Sequence, residues 1–273
     1  MPGWGYLYRW FVGSFERDWL WEDSGERWIR GKLHRYEMSL RIAGWSNRQT
    51  FFLERFYDLP TQLVLQQALK EGDVFIDVGA NEGMMALLGS ALVGNSGKVI
   101  CFEPNVTPRK ILEENLQRNG IMNVDVNPFG LGDRNSVHSL FVPYINTGEG
   151  SFVGNDSIAC GHYISCDVFV GDEIINDENP RLIKIDVEGF EGRVLRGLSR
   201  TISRSKPILC IEMIEGHLAR DGETPKAICE WLIEFGYDCH RMGLANRKSL
   251  ALSLMSGDWQ DGDYLFIHPN NPL

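Results

Sequence analysis

The chain has little positive charge and no long apolar run. Its 273 residues include 27 lysines and arginines against 37 aspartates and glutamates, so the formal net charge is −10. A surface that coats nucleic-acid phosphates needs a basic excess, and we therefore expect no nucleic-acid partner. The uncharged stretch at residues 83–97 is interrupted by glycines. It falls short of the roughly 20 apolar residues that a membrane span needs.

Signals of secretion and of zinc binding are also missing. Charged residues interrupt the aromatic start, so no signal peptide is predicted. The sequence contains no C-x-x-C pair and no H-x-x-x-H motif. Its six cysteines are Cys101, Cys160, Cys166, Cys210, Cys229 and Cys239. Because Cys101 and Cys210 lie in apolar, strand-like runs, we expect reduced core thiols in a cytoplasmic protein.

The pattern of the chain changes at about residue 71. Residues 1–70 are rich in tryptophan and other aromatics but show no sustained strand or helix period, which predicts an appendage. Residues 71–273 alternate strand-like and helix-like segments, an order typical of an α/β domain with a parallel sheet. Within them, the Gly-, Asn- and Ser-rich region 136–170 predicts a β-rich insertion.

The first two strands of this domain end in residues suited to a nucleoside. In "DVGANEG", Asp77 ends a strand, while Gly79 and Gly83 permit a tight turn and a ligand close to the next helix. An ordinary glycine turn would also explain this motif. Glu103 ends the next strand, "ICFEP". Its spacing from the glycine turn is the one at which a carboxylate can accept hydrogen bonds from two ribose hydroxyls. A capping role for Glu103 is disfavoured because Asn105 is better placed to cap the following helix.

Four motifs in order, "DVGANEG", "FEPN", "GLGD" and "KIDVEGFE", resemble the FkbM family of S-adenosylmethionine-dependent methyltransferases over about residues 50–270. The resemblance implies a class I methyltransferase fold, a doubly wound Rossmann-like sheet of seven strands in the order 3-2-1-4-5-7-6 with the last strand antiparallel. It implies S-adenosylmethionine as cofactor, with Asp77, Gly79, Asn81 and Gly83 around the methionine and ribose, Glu103 on the ribose diol and Asp133 on the adenine. For Asp133, a turn-initiating role stays open.

Three carboxylates lie at the end of the strand "RLIKIDV" and just after it. We expect Asp186 and Glu188 at the rim of the cofactor cleft, as a candidate base and an acceptor-orienting group. Glu191 is expected in the first turn of the next helix, where the helix dipole stabilises an acid. Lys184 lies on the same strand face as Asp186 and is predicted to pair with it and keep it ionised.

The strand "CIEMIEGH" brings two more candidate catalytic residues to the same rim. Glu212 and His217 are each suited to bind an acceptor hydroxyl or to receive its proton, although a lone histidine after a strand is more often a loop residue. No metal ligand is assigned. A divalent ion held by Asp186, Glu188 and Glu212 stays open.

Together with these residues, the family resemblance implies an S-adenosylmethionine-dependent O-methyltransferase that acts on a hydroxyl of a small molecule or glycan, in natural-product or cell-surface sugar biosynthesis. The choice of oxygen follows from the family resemblance. A nicotinamide-dependent oxidoreductase is the first alternative, disfavoured because the third glycine of G-x-G-x-x-G is missing. The second is a catalytically silent domain that binds a partner. The aromatic residues 1–70 are expected to cover the acceptor cleft or to contact a second subunit in a homo-oligomer.

Overall fold

A computed structural model describes residues 15–53, 58–144, 150–153, 161–246, 249–255, 257 and 259–273. Part of the aromatic start and Cys160 lie outside these residues. The strands are β1 Glu26–Arg30, β2 Glu37–Arg41, β3 Val74–Val78, β4 Lys98–Phe102, β5 Val124–Asn127, β6 Gly130–Gly132, β7 Ser136–Pro143, β8 Gly161–Val170, β9 Pro180–Ile185, β10 Ile208–Met213, β11 Asp238–Asn246, β12 Ser249–Leu254 and β13 Gly262–Ile267.

The helices enclose the main sheet and connect its strands. They are α1 Trp45–Leu53, α2 Leu59–Ala68, α3 Met84–Val93, α4 Val106–Arg118, α5 Gly171–Ile175, α6 Glu191–Gly197, α7 Ser199–Ser205, α8 Glu215–Leu218 and α9 Pro225–Glu234, with 3₁₀ helices at Phe15–Ser24 and Ala219–Asp221. None of the helices in the described part of the chain has the length and hydrophobicity needed to cross a bilayer.

Capping residues explain where several helices begin. The Asp58 carboxylate accepts from the backbone N–H of Thr61 at the start of α2. Asn105 starts α4 in the same way, and the Thr224 hydroxyl does so for α9. Each cap satisfies a backbone donor that the first helical turn leaves without an intrahelical partner.

The main sheet has the strand order β12-β11-β13-β10-β9-β3-β4-β5. Strands β3, β4, β5, β9 and β10 run parallel, and β13 is antiparallel to both of its neighbours. The segment from β5 to β11 therefore has the order 3-2-1-4-5-7-6, and the class I methyltransferase fold is confirmed. Ligand sites in such open sheets lie at the carboxyl ends of the strands, beside the switch in strand order.

An eighth strand extends the predicted seven. β12, with the sequence "SLALSL", pairs antiparallel with β11 at the edge of the sheet. Its leucines alternate with serine and alanine, which is the pattern of a half-buried strand. In this part of the chain the sequence pattern indicates two strands, "YDCHRM" and "DYLFIHP", and β12 lies between them.

The β-rich insertion forms a sheet of its own, with the order β6-β8-β7. Strand β8 pairs antiparallel with β7 along the whole length of β7. They span the predicted region 136–170, and the preceding "GLG" adds β6 beside β8. The segment 150–153 returns against β7 through a bridge between Phe141 and Ser151. This return brings Ser151 and Phe152 towards the main sheet.

The residues before 71 contribute to the main core. Met38, Leu40 and Leu65 are fully buried, and they pack in one cluster with Phe75 and Leu87 of the α/β domain. This shared core accounts for the order of a segment whose sequence showed no period. The division into an appendage at 1–70 and a catalytic domain at 71–273 stays a prediction.

The five described cysteines are buried and free, as expected for reduced core thiols. Cys229 and Cys239 lie closest, with 3.4 Å between their sulfur atoms.

Candidate active site

The loop between β3 and α3 packs closely against two other parts of the chain. Gly79 has φ +82°, and a Cβ there would lie 1.8 Å from the backbone oxygen of Asp186. Gly83 has φ +90°, and its Cβ would meet the side chain of Leu112 at 2.3 Å. Since an L-residue with a side chain rarely adopts this conformation, both positions require glycine. The two glycines let the loop pass directly over the ends of β3 and β9.

Glu103 connects this loop to the end of β4. One carboxylate oxygen accepts from the backbone N–H of Asn81 at 2.8 Å, and the other accepts from that of Asn105 at 2.9 Å. Burial raises the pKa of Glu103 to about 7, against the lowering effect of these hydrogen bonds. The Asn105 side chain caps α4 by accepting from the Thr107 N–H at 3.1 Å. Glu103 is thus free of the capping role, as the sequence indicated.

Lys184 lies between two carboxylates beneath the loop. Its ammonium is 3.0 Å from Asp186 Oδ2 and 3.8 Å from Asp77 Oδ1. Burial alone would lower the pKa of Lys184, but the charges of Asp186 and Asp77 outweigh it and raise the pKa, so the ammonium stays protonated. Burial raises the pKa of Asp77 to about 6, opposed by Lys184. The predicted pairing of Lys184 with Asp186 is present.

Asp77 itself is fully buried within the sheet. Neither of its carboxylate oxygens has a hydrogen-bond partner among the described residues. Its 3.8 Å separation from Lys184 is an ion-pair contact that is too long for a hydrogen bond.

Three carboxylates meet where β9 and β10 end. Asp186, Glu188 and Glu212 each place an oxygen within 4.8 Å of the other two. The charge of Asp186, followed by burial, raises the pKa of Glu212 well above its ordinary value. Asp263 lies opposite Glu212 on the neighbouring strand β13. Burial raises the pKa of Asp263 to about 6, with a further contribution from Asp186. This geometry alone does not assign a metal ion.

His217 contacts Glu188 from α8. The imidazole Nδ1 lies 2.8 Å from Glu188 Oε2, which is ion-pair distance, although the contact lacks the alignment of a good hydrogen bond. Interaction with Glu188 raises the pKa of His217, against the effect of burial. The His217 imidazole therefore faces the Glu188 carboxylate.

Glu191 begins α6, as predicted, but its carboxylate is buried and turns back to the preceding loop. It accepts from the backbone N–H groups of Val187 and Gly189, at 3.1 Å in each case. Burial raises the pKa of Glu191 to about 7. The residue thus holds the loop that carries Asp186 and Glu188.

One cavity collects most of the predicted site residues. Its lining includes Gly79, Asn81, Glu103, Asp186, Glu188 and Glu212. Leu131 and Leu140 contribute apolar surface, and Phe152 and Phe190 cover a further part. A second cavity shares Ser46, Gly79, Asn81 and Asp186 with the first, so the two adjoin at the glycine loop.

Four predicted site residues lie outside the lining of both cavities: Asp77, Gly83, Asp133 and His217. Asp77 lies in β3 and Gly83 directly precedes α3, so both adjoin the glycine loop. Asp133 is exposed beyond the end of β6. Its assignment to the adenine therefore has no support from the cavity, because the chain turns outward after Gly132.

Trp45 and Ser46 line the cavity but were not predicted as site residues. They lie in the first turn of α1, which a buried ion pair holds in place. Arg48 of α1 is fully buried, and its guanidinium lies 2.5 Å from Asp18. No local signal marks these residues, since an Asp and an Arg thirty residues apart carry no periodic pattern.

Comparison with known proteins identifies the family of the chain. The family model "Methyltransferase FkbM domain" matches residues 77–239, more than half of the chain. Methyltransferase FkbM from Methylobacillus flagellatus KT is 22% identical, covers 72% of this chain and 44% of its own, and has a TM-score of 0.48. The chain thus spans less than half the length of that protein. A comparison with curated proteins gives no match.

Two further solved structures are similar at low identity. Fibrillarin from Aeropyrum pernix, solved with bound S-adenosyl-L-methionine, is 13% identical over 76% of this chain and 72% of its own, with a TM-score of 0.44. A Streptococcus mutans protein solved in complex with SAH is 13% identical over 77% of this chain and 97% of its own, with a TM-score of 0.44.

The strand order and the acidic residues at the strand ends define a class I methyltransferase fold. With its family model matched across the glycine loop and the loop after β9, the chain belongs to the FkbM methyltransferase family.

Proposed function

We propose that this protein is an S-adenosylmethionine-dependent O-methyltransferase that acts on a hydroxyl of a small molecule or glycan. One observation carries the proposal: a single cavity has the Glu103 carboxylate at the end of β4 and the carboxylates of Asp186, Glu188 and Glu212 at the ends of β9 and β10. The first suits a ribose, and the others suit an acceptor that must lose a proton. The acceptor's pathway and the cytoplasmic location stay predictions.

The residues present fit the cofactor. Each oxygen of Glu103 accepts one backbone N–H, which leaves a lone pair on each for a ribose hydroxyl. At Gly79, the missing side chain lets a ligand approach the loop backbone closely. Leu131 and Leu140 offer apolar surface for a purine ring. Asp133 stays a prediction for the adenine amino group.

When bound, S-adenosylmethionine supplies a methyl group on a positively charged sulfur. The chain's part is to align the acceptor hydroxyl and to accept its proton. We assign Asp186 as the group that receives the acceptor's proton, because its carboxylate lines both cavities where they adjoin. Lys184 holds that carboxylate in place through a 3.0 Å ion pair. Glu188 and Glu212 then orient the acceptor.

A binding experiment separates this proposal from its alternatives. Calorimetry should detect S-adenosylmethionine binding and no NAD binding. Glu103→Ala should weaken the binding by about 1.5–3 kcal/mol, the range for a hydrogen bond to a charged group. Glu114→Ala, at an exposed glutamate of α4, is the matched control and should leave it unchanged. NAD binding in place of S-adenosylmethionine would favour the oxidoreductase.

Turnover tests the remaining alternative and the metal. Methyl transfer to any member of a panel of sugars and polyketides would rule out a catalytically silent domain. The same assay with and without a chelator decides whether turnover needs a divalent ion. Loss of activity that Mg²⁺ restores would show such a need and leave Asp186, Glu188 and Glu212 as the candidate ligands.

A further inference from the structure

Glu188 has an unfavourable backbone conformation. Its φ is +56°, in the left-handed region that residues other than glycine seldom adopt. The side chain is 17% exposed, and the residue lines the cavity beside Asp186 and Glu212. Such strain persists only where the surroundings fix the residue, and it clusters at functional sites.

Hydrogen bonds fix the loop on both sides of Glu188. The hydroxyl of Ser151, in the return segment of the insertion, donates to the Glu188 backbone oxygen at 2.7 Å. Ser151 is 1% exposed, so water cannot readily replace this bond. Glu191 accepts from the N–H groups of Val187 and Gly189, which flank Glu188. The backbone is therefore held at three consecutive residues.

His217 fixes the side chain of the same residue. Its Nδ1 lies 2.8 Å from Glu188 Oε2, on the side away from the cavity, since His217 lines neither cavity formed by the described residues. The approach of α8 depends on Gly189, where a Cβ would lie 2.6 Å from the His217 backbone oxygen. Glycine at 189 thus allows the contact that aims the Glu188 carboxylate.

We propose that Ser151 and His217 are positioning residues, which hold Glu188 in its left-handed conformation with its carboxylate directed at the acceptor. This inference rests on the proposed methyltransferase function. His217 does not take the acceptor's proton; it acts through Glu188. Ser151 makes the insertion sheet a part of the acceptor site, because the return segment supports the loop after β9.

Conservative variants of His217 test which nitrogen matters. An asparagine amide lies near the position of Nδ1, whereas a glutamine amide reaches that of Nε2. We expect His217→Asn to keep kcat within about 3-fold, and His217→Gln to lower it by about 10- to 100-fold, the scale of a misplaced reacting group. The KM for S-adenosylmethionine should stay unchanged in both. A His217→Asn variant as impaired as His217→Gln would overturn the Nδ1 assignment.

A double-variant cycle tests whether His217 acts through Glu188. In a Glu188→Gln background, His217→Gln should cause no further loss of kcat beyond about 2-fold, because coupled residues are not additive. Losses that multiply would show that His217 has a role of its own and would overturn the inference. Ser151→Ala should lower kcat without changing cofactor affinity, whereas Ser139→Ala, at an exposed serine of β7, should not.

One readout does not need an acceptor. In ¹⁵N NMR spectra, the His217 Nδ1 signal should shift in Glu188→Gln and in Ser151→Ala, while the exposed His162 stays as in the wild type. An unmoved His217 signal would overturn the contact. If the signal shifts as expected but no acceptor is ever methylated, the proposed function fails while the pairing stands.

Discussion

Asp186 is the residue on which the proposed chemistry depends most. Its carboxylate lines both cavities and pairs with Lys184. We expect Asp186→Asn to lower the single-turnover rate by about 100-fold or more, the usual scale of general base catalysis, with little change in cofactor affinity. Asp238→Asn, at an exposed residue, is the control. Wild-type turnover in Asp186→Asn, with loss in Glu212→Gln, would move the base to β10.

Gly79 offers a second test at the scale of one residue. Gly79→Ala would place a methyl group against the Asp186 backbone, whereas Gly120→Ala, also at positive φ, meets nothing within 4 Å. The Gly120 change should cost about 1–2 kcal/mol for the left-handed conformation alone. Gly79→Ala should cost at least about 3 kcal/mol, because an unavoidable clash adds to it. Urea melts of both variants measure the loss in free energy of unfolding. Equal losses in the two variants would contradict the close approach of the loop to the Asp186 backbone.

The sequence predicted the residues at strand ends better than it predicted the side chains that contact them. Glu103 and Asp186 follow apolar runs, and every such run in a parallel sheet ends at the same edge. The contact of His217 with Glu188 and that of Ser151 with the same residue follow no period, because segments far apart in the sequence bring them together. Tertiary packing decides such contacts, so only the fold reveals them.

At the scale of elements, the same contrast holds. β3, β4, β9 and β10 were predicted, because strands buried on both faces are continuous apolar runs bounded by turns. The hairpin of β1 and β2 and the helices α1 and α2 were not, since the residues before 71 show no sustained strand or helix period. These elements gain order from the core they share with α3 and α4, and a local pattern does not contain that information.

The element α1 depends on a buried ion pair. The Arg48 guanidinium pairs with Asp18 and also donates to the backbone oxygens of Ile42 and Ala43. Burial raises the pKa of Asp18, and the pairing with Arg48 opposes this rise. Asp18→Ala should lower the free energy of unfolding by about 3–5 kcal/mol, because a buried cation loses its counter-charge.

Loss of the ion pair in Asp18→Ala should also change the cavity, since Trp45 and Ser46 line it and begin the same helix as Arg48. We expect weaker S-adenosylmethionine binding in Asp18→Ala, measured by calorimetry at a temperature where the variant remains folded. Asp23→Ala, at an exposed residue of the same 3₁₀ helix, is the control and should match the wild type in both measurements. Full affinity in a destabilised Asp18→Ala would show that α1 does not shape the cofactor site.

The whole molecule concentrates buried carboxyl groups around one end of its sheet. Burial raises the pKa of each of the following: Asp77 and Asp263 to about 6, and Glu82, Glu103 and Glu191 to about 7. In the unfolded chain these groups titrate at about 4, so the folded protein binds more protons between these values. Burial has the opposite effect on His34, whose pKa falls to about 4.

Stability should therefore fall as the pH rises from about 5 to about 8, because the folded carboxyl groups must lose protons that the unfolded chain has already lost. His34 opposes this trend below its unfolded pKa of about 6.5, but one histidine does not offset five carboxyl groups. Urea melts across this range measure the slope. Glu82→Gln and Glu191→Gln should each flatten it, whereas Glu114→Gln, at an exposed residue, should not. A free energy of unfolding that rises with pH would mean that these carboxyl groups are ionised and stabilised in the folded protein.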